Sequence, residues 1–252
     1  LGASAFGVYL GLAPIYQNQG WSDLALGMYY TAVREAPFTA ASHAALGNSF
    51  RSMAKWSQAI DEFLTAISRE PTSPVGYISL ANTYRILGKY SQAIELYNQA
   101  NAIQPDQIDG YLGLGQVYLD MGYVQSAIEQ FQKAIELEPT DIDAYNAISK
   151  IYLSLGNMDD ALKILIQAQE NIPSDLSIYD SIAEIEIMRG REDEALRWLE
   201  KGIEINQDIG LGYKNLADEY HRIGDTERAL ELYQKAIELT PQLESAYAQL
   251  AS

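Results

Sequence analysis

The sequence contains no cysteine. Disulfides, thiolate metal sites and thiol nucleophiles are therefore excluded. Histidine is nearly as scarce, with only His43 and His221, so a Ser-His-Asp site has few ways to assemble. Basic residues are also few. Lys and Arg total 17 against 34 Asp and Glu, for a formal net charge of -17. Such a charge repels phosphate backbones, and nucleic-acid binding is not expected. The deficit is uneven: residues 1–73 hold 5 acids and 4 bases, whereas residues 74–252 hold 29 and 13. No apolar run reaches the ~20 residues of a membrane-spanning helix, so no membrane insertion is expected within this chain. The apolar start LGASAFGVYLGLAPIY is short, lacks a basic flank and contains Pro14, so it does not read as a signal peptide. The chain opens on Leu1, and a signal or anchor removed upstream is one expectation. The compartment stays open between the cytoplasm and the soluble part of a membrane-anchored or exported protein.

Sites of chemistry are equally sparse. There is no phosphate loop and no dinucleotide glycine motif. PDQIDG (Pro105 to Gly110) has two carboxylates but not the ligand spacing of a calcium loop. Asp159–Asp160 and Glu192–Asp193–Glu194 read as acids at helix starts, where their negative charge interacts favourably with the helix dipole. No assembled nucleophile and base emerges. The expectation is no catalysis, no metal and no cofactor.

What the chain does have is a period. Pro37, Pro71, Pro105, Pro139, Pro173 and Pro241 lie on one 34-residue grid, broken only at Gln207. The frame divides the chain into 6–39, 40–73, 74–107, 108–141, 142–175, 176–209 and 210–243, with 244–252 starting an eighth unit or capping helix. The fourth position is Tyr9, His43, Tyr77, Tyr111, Tyr145, Tyr179, Tyr213 and Tyr247. The seventh is Leu or Ile, ending at Leu250, and the eighth is always small, ending at Ala251. Spacings of three, four and seven place these on one stripe of a helix. A turn follows at Gly20, Gly88, Gly122, Gly156, Gly190 and Gly224, with Ala54 in the second unit. A second amphipathic segment then carries alanine at its twentieth position in every unit and an aromatic or leucine at the twenty-fourth. Small residues let two helices approach, and the large ones fill the space between pairs. No unit can bury this face alone, so units must stack.

This pattern resembles the tetratricopeptide repeat family over residues 6–252. The resemblance implies an all-α fold, a right-handed α-solenoid or superhelix of antiparallel helix pairs. It also implies a concave groove, lined by the first helix of each pair, that binds a peptide or protein segment. Some positions depart from the pattern. The sixth unit has Glu186 for an aromatic, Gly202 for alanine and Gln207 for proline, and is expected to be a bend or weak point. Pro14 is expected to kink the first helix or to leave it irregular before the proline. His43 is expected to be a packed histidine.

Carried onto this sequence, the family's groove positions give Asn48, Arg51, Asn82, Arg85, Gln116, Asn146, Lys150, Lys214 and His221 as candidate peptide contacts. Asn48 with Arg51 and Asn82 with Arg85 repeat one pair on consecutive units. Asparagine both donates to and accepts from an extended backbone, and arginine holds carboxylates. Family members that clamp a C-terminal carboxylate need a set of Lys, Asn and Arg that no three consecutive units supply; Ile78 and Ser79 occupy two of its positions in the third unit. The leading expectation is a non-catalytic scaffold or adaptor holding an extended segment. One alternative is a structural scaffold that self-associates through its terminal helices, including Tyr247 and Leu250. Another is the soluble segment of a larger membrane-anchored assembly or glycan-machinery protein.

Overall fold

The computed structural model describes residues 5–37, 39–207 and 209–250, with side chains given from Gly7 to Ala248 within those ranges. Leu250 as a packing side chain, and Ala251, lie outside the described residues. Fifteen α-helices and no strand occur among the described residues. They are α1 (Ala5–Asn18), α2 (Ser22–Glu35), α3 (Ala40–Ser52), α4 (Trp56–Arg69), α5 (Pro74–Ile86), α6 (Tyr90–Ile103), α7 (Asp109–Asp120) and α8 (Val124–Leu137), then α9 (Ile142–Ser154), α10 (Met158–Asn171), α11 (Leu176–Met188), α12 (Glu192–Ile205), α13 (Gly210–Arg222), α14 (Thr226–Leu239) and α15 (Glu244–Leu250). The fold is an all-α solenoid of antiparallel helix pairs.

Two compact bodies divide the chain, one ending at Glu138 and one beginning at Pro139. Within each body every helix packs on the next, and in the first body α5 also touches α3 and α7. The small residues sit where backbones meet. Ala25, Ala59, Ala93, Ala127, Ala161, Ala195 and Ala229 are all buried, as are Tyr29, Phe63, Tyr97, Phe131, Leu165, Leu199 and Tyr233 four residues on. Burying such side chains contributes about 1.5–3 kcal/mol each for the larger ones.

The first helix of each pair ends on a left-handed residue. The six glycines there have φ between 71° and 86°, and Ala54 adopts φ 55° without being glycine. The turn is closed by a backbone bond reaching five residues back, as from Lys55 N–H to the Phe50 carbonyl (2.9 Å) and from Lys89 N–H to the Tyr84 carbonyl (2.8 Å). Side chains of Thr39, Asp141, Asn157, Asp175 and Asp225 cap helix starts by accepting backbone N–H groups, which satisfies otherwise orphaned donors.

A second recurring contact ties the first helix of a pair to the turn that precedes it. The hydroxyls of Tyr77, Tyr111, Tyr145 and Tyr179 donate to the carbonyls of Pro71, Pro105, Pro139 and Pro173 at 2.8–3.2 Å. His43 takes the same place: it is buried, its Nε2 lies 3.2 Å from the Pro37 carbonyl, and its Nδ1 lies 2.7 Å from Glu62 Oε2. The packed-histidine reading therefore gains two polar partners that the spacing did not reveal.

Two departures resolve as follows. α1 is continuous from Ala5 through Pro14 to Asn18, so the stretch before the proline is not irregular. One lost N–H is outweighed by packing of the whole helix on α2. Glu186 is buried, with Arg189 at 3.6 Å and Arg191 at 3.8 Å, and Arg189 reaches on to Asp159 of α10 at 2.8 Å. An ion cluster thus fills the slot that an aromatic ring fills elsewhere.

Candidate functional site

The stripe of each first helix that packing does not consume carries the candidate contacts. In the first body the structure gathers five of them. Asn48 is exposed and Arg51 half-buried, one turn apart on α3. Asn82 and Arg85 lie on α5 and Gln116 on α7, all half-buried. The Tyr97 hydroxyl, from α6, donates to Asn82 Oδ1 at 2.7 Å. Arg85 Nη1 donates to Asp120 Oδ2 at 2.8 Å, and Gln116 Nε2 donates to Asp120 Oδ1 at 2.9 Å. The Arg85 Nε is buried without an acceptor.

Electrostatics separate the two arginines. Burial lowers the Arg51 guanidinium from its usual range; the Tyr97 oxygen opposes that shift and the Arg85 charge adds to it. Burial pushes the Tyr97 hydroxyl up to about 12, although Arg85 and Arg51 pull it down. Arg85 has Asp120 as counter-ion, whereas Arg51 makes no ion pair among the described residues.

The repeated Asn-Arg pair is therefore not equivalent in its two copies. Asn82 is held by Tyr97, but the residue that corresponds to Tyr97 in the preceding pair is Phe63, which has no hydroxyl. Asn48 is left free for that reason. Tyr97 and Asp120 are the members of the site that sequence reasoning missed. The signal for Tyr97 was present, as a tyrosine alternating with phenylalanine at one repeat position.

In the second body Asn146 of α9, exposed Lys150 of α9, and Ser181 and Glu184 of α11 surround a cavity of about 90 Å³. Lys214 pairs with Asp218 on α13 at 2.5 Å, and the Tyr233 hydroxyl of α14 donates to the same carboxylate at 2.7 Å. Asn215 Nδ2 donates to Asp180 Oδ2 of α11 at 2.7 Å. Burial pushes the Asp180 carboxyl up to about 6, against the pull of the Asn215 hydrogen bond and the Lys214 charge. His221 is exposed at the end of α13. Among the described residues no His, Asp and Glu group is placed to hold a metal ion, and no helix is long and apolar enough to cross a membrane.

Comparison with known proteins gives the family context. One model of the TPR repeat matches residues 81–122, and three models of the tetratricopeptide repeat match residues 62–95, 124–184 and 176–242. No curated protein matches the chain. Among solved structures, a tetratricopeptide repeat protein from Parabacteroides merdae ATCC 43184 is 19% identical with a TM-score of 0.52, over 99% of this chain and 98% of that one. The APC/C hetero-tetramer Cut9-Hcn1 is 18% identical with a TM-score of 0.57, over 95% of this chain and 47% of that one. MamA is 26% identical with a TM-score of 0.50, over 63% of this chain and 93% of that one. The first two likenesses carry the fold alone.

Proposed function

Because the chain belongs to the tetratricopeptide repeat family, whose members are protein-interaction scaffolds, we propose that it is a non-catalytic adaptor holding an extended peptide or protein segment along α3, α5 and α7. The observation that supports this is the side-by-side placement of Asn48, Arg51, Asn82, Arg85 and Gln116 on the polar stripe of three successive first helices. Packing does not require polar side chains there, because the opposite stripe already fills the core. Amide and guanidinium donors at these positions match the backbone carbonyls and acidic groups of a strand-like ligand. The seven-repeat frame, 6–243, is part of the same reading.

The test compares partner capture by the wild type with capture by Asn48→Ala/Arg51→Ala, since these two side chains are not tied into internal bonds. The expected result is a partner that the wild type retains and the double variant loses at equal melting temperature. Partners retained equally by both would overturn this site.

A second reading is self-association through the first helix pair. It is favoured by a separate observation: Val8, Leu12, Ile15, Trp21, Leu24 and Tyr30 are all exposed on α1, α2 and the turn between them. Exposed apolar side chains concentrated on one helix pair are candidates for a contact surface. Sedimentation at rising concentration, with Leu12→Glu/Leu24→Glu as the control, decides it. A constant monomer mass for the wild type removes this reading.

A further inference from the structure

The first body pairs side chains across successive first helices at an offset of 35 residues. Gln17 Nε2 donates to Ser52 Oγ at 2.7 Å, and Arg85 Nη1 donates to Asp120 Oδ2 at 2.8 Å. Arg51 lies between these two in the series. Its counterpart by the same offset is Ile86, an exposed isoleucine that accepts nothing. Arg51 is consequently half-buried, faces the Arg85 cation, and has no carboxylate among the groups that act on it. Beside it, the buried Arg85 Nε also lacks an acceptor. Partly desolvated guanidinium donors without acceptors are costly to leave unmade, and two neighbouring cations lower that cost together by taking one anion.

We propose that Arg51 and Arg85 receive a carboxylate of the bound segment, which supplies the acceptor that Ile86 does not, while an apolar residue of the ligand next to that carboxylate rests on Ile86. The inference rests on the adaptor reading above and specifies the ligand's chemistry. A guanidinium presents a fork of donors that fits a carboxylate. In a chain of net charge -17, an arginine without a counter-ion, Arg51, beside a second arginine that has one, Arg85, is a local exception. It would set where along the stripe an acidic ligand seats. Asn48, one turn before Arg51, is positioned to bond the ligand backbone.

The test uses short random-sequence peptides displayed in two libraries, one with free and one with blocked C-termini, selected on the wild-type protein. Enriched peptides are then synthesised with Glu or Gln at the acidic position, and as amides or free acids at the C-terminus, and titrated by fluorescence anisotropy. The expected result is a preference on the order of tenfold for the charged form, which vanishes in Arg51→Gln. Ile86→Asp gives Arg51 an internal partner and should weaken the acidic peptide while sparing the neutral one. This second variant keeps the test valid if Arg51→Gln alters stability. Loss on amidation assigns the carboxylate to the C-terminus, and retention assigns it to a side chain. Enriched peptides without an acid, or a Glu-over-Gln preference unchanged in both variants, would overturn the carboxylate assignment and leave the groove reading standing. Failure of both libraries to yield any binder would overturn the groove reading and this inference with it.

Discussion

Ala54 sits in a conformation that six glycines occupy at the equivalent turns. A Cβ in the left-handed region costs about 1–2 kcal/mol, part of which glycine's greater freedom in the unfolded chain offsets. Ala54→Gly should therefore raise stability by about 1 kcal/mol, read as an upward shift of a few degrees in the thermal melt. Asp180 makes a prediction of its own. Its carboxyl titrates near 6 when folded and near 3.9 when unfolded, so the folded chain binds that proton more tightly. Stability from this group is fully present below about pH 4 and declines as pH rises to about 6. Asp180→Asn keeps an acceptor for Asn215 and removes the buried charge. It should match the wild type at pH 4 and melt higher at pH 7; equal melting at both values would refute the burial argument. At this scale the glycine positions were readable in the sequence, because the left-handed turn has one favoured residue. The Asp180 environment was not, because burial depends on neighbours from another helix.

Within a helix pair, two positions vary together. Gly47 and Gly115 stand opposite Phe63 and Phe131, whereas alanine stands opposite tyrosine at Ala81 with Tyr97 and Ala217 with Tyr233. The geometry explains the rule. A Cβ at residue 47 would lie 2.5 Å from Phe63 Cε1, and one at residue 115 would lie 2.7 Å from Phe131 Cε1. Tyrosine rings are drawn elsewhere by their hydroxyls, to Asn82 and to Asp218, and the Tyr97 ring lies against Gly113 of the next helix pair. Gly115→Ala should cost about 1–3 kcal/mol, since a buried ring has nowhere to retreat. Adding Phe131→Leu should recover part of that loss, because Ala183 with Leu199 already shows the pairing to be allowed. A double-mutant cycle measures the coupling, and simple additivity would contradict the steric account. The helices, their turns and their buried stripe were legible from period alone. The bond from Arg85 to Asp120 was hidden because its offset is one residue out of step with the 34-residue spacing.

For the whole chain, charge is the dominant property. Residues 74–252 carry 29 acids and 13 bases, and like charges at this density oppose compaction. Raising ionic strength from ~10 to ~150 mM shortens the screening length from ~30 to ~8 Å. The melting temperature should rise over that range. A fall would mean that close pairs such as Arg222 with Glu219, at 2.6 Å, outweigh the general repulsion. Composition predicted the acidity but not its exceptions. The uncompensated arginine in the first body became visible only when the helices carrying residues 51, 85 and 120 were seen side by side.

The tyrosine-to-proline hydrogen bond has a consequence for how such a chain can change length. The same donor and acceptor recur at 71/77, 105/111, 139/145 and 173/179. A copied stretch such as 108–141 would bring its own tyrosine at one end and its own proline at the other. Duplication or loss of that stretch would leave every seam chemically unchanged, much as a standard coupling lets carriages be added to a train. At 207/213 the coupling is altered by glutamine. Duplications of whole periods should therefore be tolerated better before residue 176 than after it.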